Sequence, residues 1–260
     1  AGAQAAEVAA LRRGIELGLT HIDTAEMYGS GAAESVIGDA IAGIPREGLF
    51  IVSKVLPQNA TYDGTIAACE DSLRRLRTPY LDAYLLHWRG RHPLAETMRA
   101  MEELVDAGKI KALGVSNFDV EDLEEATGLL RRHPLACNQV LYHLRERYLE
   151  ESLLPYCQQH HIALVGYSPF GTDGFPAPAS AQGRTLAAVA ARHGSGTTPR
   201  QVALAFLVRQ APLFAIPKAA RLIHVEENAG APRLRLTTAD VEEIDQAFLR
   251  RRGGGELPMA

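Results

Sequence analysis

The chain has little of what marks several large protein classes. It contains only three cysteines, Cys69, Cys137 and Cys157, an odd number with no metal-ligand spacing among 260 residues. That argues against a disulfide scaffold or a thiolate metal centre, and predicts small buried thiols in a reducing cytoplasm. No metal site is expected. No apolar run approaches the roughly 18 residues of a membrane span. The opening AGAQAAEVAALRRG lacks the basic-then-apolar order of a secretory leader. Neither sign of charge dominates. A net charge of −4 leaves no basic surplus to hold nucleic acid or an anionic membrane. No GxGxxG loop occurs, and no low-complexity linker divides the chain, so one domain over residues 1–260 is expected.

What the chain does have is alternation. Short apolar runs occur at LTHI (19–22), LFIVS (49–53), DAYLL (82–86), KALGV (111–115), NQVL (138–141), IALVGY (162–167) and LFAI (213–216). Their length suits strands. Between them, segments 8–17, 66–76, 94–108 and 120–132 carry apolar residues at three- and four-residue spacing, as amphipathic helices do. Gly108 stands where a helix C-cap glycine belongs, and Thr198-Pro199-Arg200-Gln201 and Thr237-Thr238-Ala239-Asp240 look like helix starts. Strands alternating with helices imply α/β architecture with a parallel sheet. At this length the expected form is a (β/α)8 barrel. Seven strands are counted where that barrel uses eight, so strand 1 is expected to precede Ala1. An open seven-stranded sheet is the alternative, and it would leave two edges to protect. The stretch GTDGFPAPASAQG (171–183) is expected to be one surface loop.

Most of the apolar runs end on a polar residue. LTHI leads to Asp23, LFIVS to Lys54, DAYLL to His87 and KALGV to Ser116 and Asn117. Asn138 and Gln139 lie at the start or middle of the fifth run, Tyr167 and Ser168 close the sixth, and Lys218 follows the seventh. In a parallel barrel the C-terminal strand ends gather at one rim, where active sites form. Taken singly, each residue has an ordinary explanation: a strand reaching water, a helix cap, a structural histidine. Their coincidence at one rim favours a site. A buried Lys54 needs a counter-charge, and Asp23 on the neighbouring strand would supply it.

Residues 21–29, HIDTAEMYG, resemble the signature of the aldo-keto reductase family, in which Asp and Tyr stand five residues apart. Lys54 of IVSKV and His87 of YLLHW match the other two members of that family's catalytic tetrad. GVSNF (114–118), NQVLYH (138–143), GYSPF (166–170) and IPKAA (216–220) extend the match in order from about residue 5 to the end, and the detail is most similar to bacterial members described as methylglyoxal reductases.

The resemblance implies NADPH-dependent reduction of small aldehydes and ketones, 2-oxoaldehydes such as methylglyoxal among them. Tyr28 would give the proton, Lys54 would favour its phenolate, Asp23 would hold Lys54, and His87 would orient the carbonyl. Ser116, Asn117 and Gln139 would bind the nicotinamide carboxamide, with Tyr167 stacked under its ring. Ser168 and Phe170 would follow the pyrophosphate, and Lys218, Arg221, His224, Glu227 and Asn228 would meet the adenosine end. Many relatives carry Ser or Thr after that lysine and Arg six residues beyond it. Here Ala219 and His224 stand there, so NAD(H) remains possible beside NADP(H). Relatives also begin with a glycine-rich strand and an N-terminal hairpin.

Trp88, Met27 and Tyr62 are candidates for the pocket mouth or for packing. The tail RRGGGELPMA is expected either to fold over the pocket or to hang free. Two rival functions stand beside the reductase: a regulatory barrel that binds cofactor with little turnover, and an aldolase using Lys54 as a Schiff base. Asp23 opposes the aldolase, which needs a neutral amine. A cytoplasmic monomer or weak homo-oligomer is expected, with a small-molecule substrate and neither nucleic acid nor membrane as partner.

Overall fold

The computed structural model describes residues 2–249 and 257–259, so most of the C-terminal tail lies outside the described residues. Helices and strands alternate: α1 (Gly2–Glu16), β1 (His21–Asp23), α2 (Ala32–Ile41), β2 (Phe50–Val55), α3 (Tyr62–Leu76), β3 (Leu81–Leu86), α4 (Leu94–Asp106), β4 (Ile110–Ser116), α5 (Val120–Leu129) and β5 (Leu135–Leu141). They continue as α6 (Leu153–His160), β6 (Ala163–Tyr167), α7 (Ala181–Arg192), α8 (Pro199–Leu207), β7 (Leu213–Ile216), α9 (Leu222–Gly230) and α10 (Thr238–Ala247). Each of the seven expected strands is present, in sheet order β1 to β7. The chain divides into two compact units between Asn138 and Gln139, inside β5.

In the first unit β1, β2, β3 and β4 pair in parallel, with Asp23 opposite Val52, Lys54 opposite Leu85 and Leu85 opposite Gly114. Strand period two sorts the residues of β2. Val52 packs with Ala83, Leu85, Ala112 and Cys137 on one face. Lys54, two residues on, shares that face. Ser53 takes the other and donates its hydroxyl to Glu34 on α2 at 2.5 Å. Gly114 has to be glycine here, because a Cβ would stand 2.6 Å from Cys137 Sγ and 2.9 Å from the Cys137 carbonyl.

The helices start and stop where side-chain chemistry allows. Thr61 caps α3 by accepting from Gly64 N, four residues earlier than apolar periodicity alone indicates. α4 ends at Asp106, and Gly108 takes φ 70° just beyond it. Thr198 with Gln201 and Thr237 with Asp240 form capping boxes at α8 and α10.

The second unit contains the parallel pair β6–β7, with Leu164 opposite Leu213 and Tyr167 opposite Ile216. A buried polar knot lies in this unit. The Tyr142 hydroxyl donates to Glu150 at 2.6 Å, and Arg147 and Arg209 donate to the same carboxylate at 2.8 and 3.0 Å. Burial pushes the Glu150 carboxyl up, but hydrogen bonds from Arg147 and Tyr142 and the two guanidinium charges outweigh it and hold the pKa at about 2.

Other boundaries also differ from the sequence reading. The loop expected over 171–183 ends at Ser180, whose hydroxyl accepts from Gly183 N and starts α7 at Ala181. β1 covers His21–Asp23, so Asp23 is a strand residue and not its successor. β5 begins at Leu135, which puts Asn138 and Gln139 mid-strand. α5 stops at Leu129, since Leu130 has already turned to an extended ψ of 141°. Among the described residues no helix is long and apolar enough to cross a membrane.

Candidate active site

The site is built around Lys54. The residue is wholly buried, on a face otherwise lined by aliphatic side chains. Its ammonium donates to Asp23 Oδ1 at 2.5 Å and to the Thr24 carbonyl at 2.8 Å. β1 and β2 enforce this closeness, because Asp23 pairs with Val52 and Lys54 follows on the same face. A buried charge so compensated is sustainable, where an isolated one would not be.

Tyr28 follows β1 at the head of a tight turn (Tyr28–Gly31) and is 38% exposed, so its ring can meet a ligand. The Lys54 Nζ stands 5.2 Å from the centre of that ring. His87 directly follows β3. Its ring meets Tyr28 edge to face, with centroids 5.8 Å apart and planes at 83°. The Trp88 ring also packs on His87, with centroids 4.8 Å apart.

His87 is 7% exposed, and its Nδ1 is buried with no hydrogen-bond partner among the described residues. Burial drives its pKa down to about 4, and the Lys54 charge adds to the effect against the weaker pull of Asp23. The imidazole is therefore neutral near pH 7. It can donate or accept one hydrogen bond, but it is a poor store of protons.

Asn117 takes a left-handed φ of 60° after β4 and donates to the His87 carbonyl at 3.1 Å and to Ser116 Oγ at 3.2 Å. Asp23, Tyr28, Lys54, His87, Trp88, Ser116 and Asn117 are thus linked by pairwise contacts within the first unit. Met27 is 42% exposed beside Tyr28. Tyr62 instead lies under the Arg99 guanidinium at 4.3 Å, a packing contact. Of the cysteines, Cys69 and Cys157 are buried and Cys137 is half-buried, and burial pushes all three thiols up to about 12. A hollow lined by Glu70, Leu73, Arg74, Arg77, Thr78 and Pro79 near the end of α3 includes none of the predicted residues.

The second unit carries the remaining candidates. Gln139 is buried in β5. Tyr167 ends β6 and Ser168 follows with φ 51°. Phe170 meets Phe175 edge to face at 5.8 Å, and the Arg200 guanidinium lies 4.5 Å from one ring and 4.8 Å from the other. Lys218 is exposed after β7, and Arg221 immediately precedes α9. On α9, His224 Nδ1 and Glu227 Oε2 pair at 3.3 Å. One residue on, Asn228 is 4% exposed, and its Oδ1 has no hydrogen-bond partner among the described residues.

Sequence reasoning did not single out Glu26, Glu34, Ser53 or Arg75. Glu26 Oε1 accepts from Leu56 N at 2.6 Å and from Asn59 Nδ2 at 3.0 Å. Acidic residues in a polar turn and at a helix start look solvated in sequence, and nothing in their spacing distinguishes them.

The chain belongs to the aldo/keto reductase family, whose model matches residues 3–248. It is 46% identical to methylglyoxal reductase YeaE of Escherichia coli over 253 residues, covering 97% of this chain and 88% of that protein. It is 36% identical to a glyoxal reductase of Bacillus subtilis, covering 90% of this chain and 81% of that one. Among solved structures it matches an aldo-keto reductase from Klebsiella pneumoniae in complex with NADPH, at TM-score 0.91 and 44% identity, over 100% of this chain and 90% of that one. The fold class is the α/β barrel expected from the sequence, with seven strands among the described residues.

Proposed function

We propose that the protein reduces small aldehydes and ketones to alcohols with NADPH, and that 2-oxoaldehydes such as methylglyoxal are among its substrates. The observation that carries this reading is the buried Lys54 ammonium, fixed by Asp23 at 2.5 Å and facing the exposed Tyr28 ring. Bound NADPH supplies the hydride. Tyr28 gives the proton to the carbonyl oxygen as charge develops there. The Lys54 ammonium then stabilises the phenolate left behind, and Asp23 keeps that ammonium charged and in place. His87, neutral at working pH, orients the carbonyl through one hydrogen bond while Tyr28 remains the acid.

Ser116 and Asn117 in the first unit, and Gln139, Tyr167, Ser168, Phe170, Lys218, Arg221, His224, Glu227 and Asn228 in the second, take the cofactor roles that the family resemblance gives them. Trp88 and Met27 border the substrate. The solved relatives that hold NADPH or NADP support that cofactor choice. We also assign a single functional domain, a cytoplasmic location and a monomeric or weakly self-associating state to this reading. Mixing the protein with NADPH and methylglyoxal should lower the absorbance of the reduced cofactor faster than the same mixture with NADH. Absence of turnover across a panel of aldehydes and ketones would overturn the proposal.

A further inference from the structure

We propose that Glu26 and Glu34 are positioning residues that fasten the turn bearing Tyr28, at both its ends, to the strand bearing Lys54. The inference rests on the carbonyl-reductase reading and deepens it.

The turn after Tyr28 has backbone bonds of its own, Ser30 N donating to the Met27 carbonyl at 3.2 Å and Ala32 N to the Gly29 and Tyr28 carbonyls, but its conformation is costly. Gly29, Ser30 and Gly31 take φ of 59°, 53° and 88°, three left-handed residues in succession. Such a conformation is disfavoured for Ser30, and adjacent glycines leave the segment entropically expensive to order. It persists because its surroundings fix it. Before the turn, the Glu26 carboxylate holds Leu56 N at 2.6 Å and Asn59 Nδ2 at 3.0 Å, just after Lys54. Beyond the turn, Glu34 is wholly buried, accepting from Ser53 Oγ at 2.5 Å and from Arg75 Nε at 2.5 Å. Ser53 immediately precedes Lys54 in β2. Arg75 in turn packs against the backbone of the turn, since a Cβ on Gly31 would lie 2.6 Å from Arg75 Cδ. Two carboxylates flanking Tyr28 thus grip the residues flanking Lys54. A buried carboxylate with one hydroxylic and one charged partner, outside the reacting group, acts here by setting the separation between phenol and ammonium.

The test begins with wild-type turnover of methylglyoxal and NADPH. Glu26→Ala should lower kcat about 10- to 100-fold, the scale of a misplaced catalytic group, while the NADPH Kd read from cofactor fluorescence stays within about twofold. Glu26→Gln keeps an oxygen for Leu56 N and should restore kcat to within about threefold of wild type. Ser53→Ala, which leaves the Glu34–Arg75 pair intact, should lower kcat about tenfold, again with cofactor binding preserved. Unchanged kcat in Glu26→Ala and Ser53→Ala, or a kcat loss that only tracks lost cofactor binding and melting temperature, overturns the inference. If wild type turns over no carbonyl, the reductase reading itself fails. Amide exchange then decides the anchoring: faster exchange of residues 28–31 in both variants supports it, and unchanged exchange overturns it.

Discussion

The Lys54 ammonium and the Asp23 carboxylate meet at 2.5 Å, with Lys54 wholly buried and the Asp23 side chain 9% exposed. The pair does two things that mutation can separate. It makes a buried charge tolerable, and it presents that charge to Tyr28. Lys54→Met should therefore lower kcat about 10²- to 10³-fold, as loss of a preorganised electrostatic group does. It should also destabilise the fold by about 3 kcal/mol, because Asp23 loses its counter-charge. Adding Asp23→Asn should recover much of the melting temperature without restoring turnover. Calorimetry beside steady-state kinetics on the single and double variants checks both halves.

His87 offers a pH-dependent check. Its folded pKa is about 4 against an ordinary value of 6.5, chiefly because the ring is buried. Below pH 6.5 the unfolded chain takes up a proton that the folded chain refuses. Stability therefore falls as the pH drops from 6.5 to about 4, by on the order of 2–3 kcal/mol from this group. Ring-carbon NMR should show His87 neutral from pH 6.5 to about pH 5 and taking up its proton only near pH 4. The difference in stability between pH 6.5 and pH 4 should shrink in His87→Gln.

In the second unit, Glu150 receives hydrogen bonds from Tyr142, Arg147 and Arg209, and Arg147 is only 3% exposed. Glu150→Gln removes the charge that compensates two guanidinium groups. It should lower unfolding stability by about 3 kcal/mol, because a buried cation is left undercompensated. Because the wild-type carboxyl titrates at about 2, the stabilisation is present above its ordinary value near 4.5 and lost as pH falls towards 2. In urea melts of both proteins the stability gap at pH 7 should narrow at pH 3.

The strands were legible because each apolar run is short and bounded, and Asp23, Lys54 and His87 stood out as charged or basic residues where aliphatic ones were expected. Four helices were not anticipated, for local reasons. α2 contains Gly38, which stays bare because a Cβ would meet the Arg75 carbonyl at 2.8 Å. α6 is short and carries Pro155. α7 follows a Pro- and Ala-rich loop that hides its Ser180 cap. α9 leaves Leu222 and Ile223 exposed, which blurs its amphipathic pattern. The carboxylates of Glu26 and Glu34 were invisible for another reason. Their partners are the Leu56 amide, the Asn59 and Ser53 side chains and the Arg75 guanidinium, all distant in sequence, and the fold alone brings those together.

The central claim is that Tyr28 supplies the proton while Lys54 makes its loss tolerable. Single-turnover reduction of methylglyoxal by the NADPH-loaded Tyr28→Phe variant tests it most directly. The account predicts a rate at least about 10²-fold below wild type, within the range for a lost general acid, with cofactor affinity unchanged. A Tyr28→Phe enzyme that transfers hydride at the wild-type rate would contradict it.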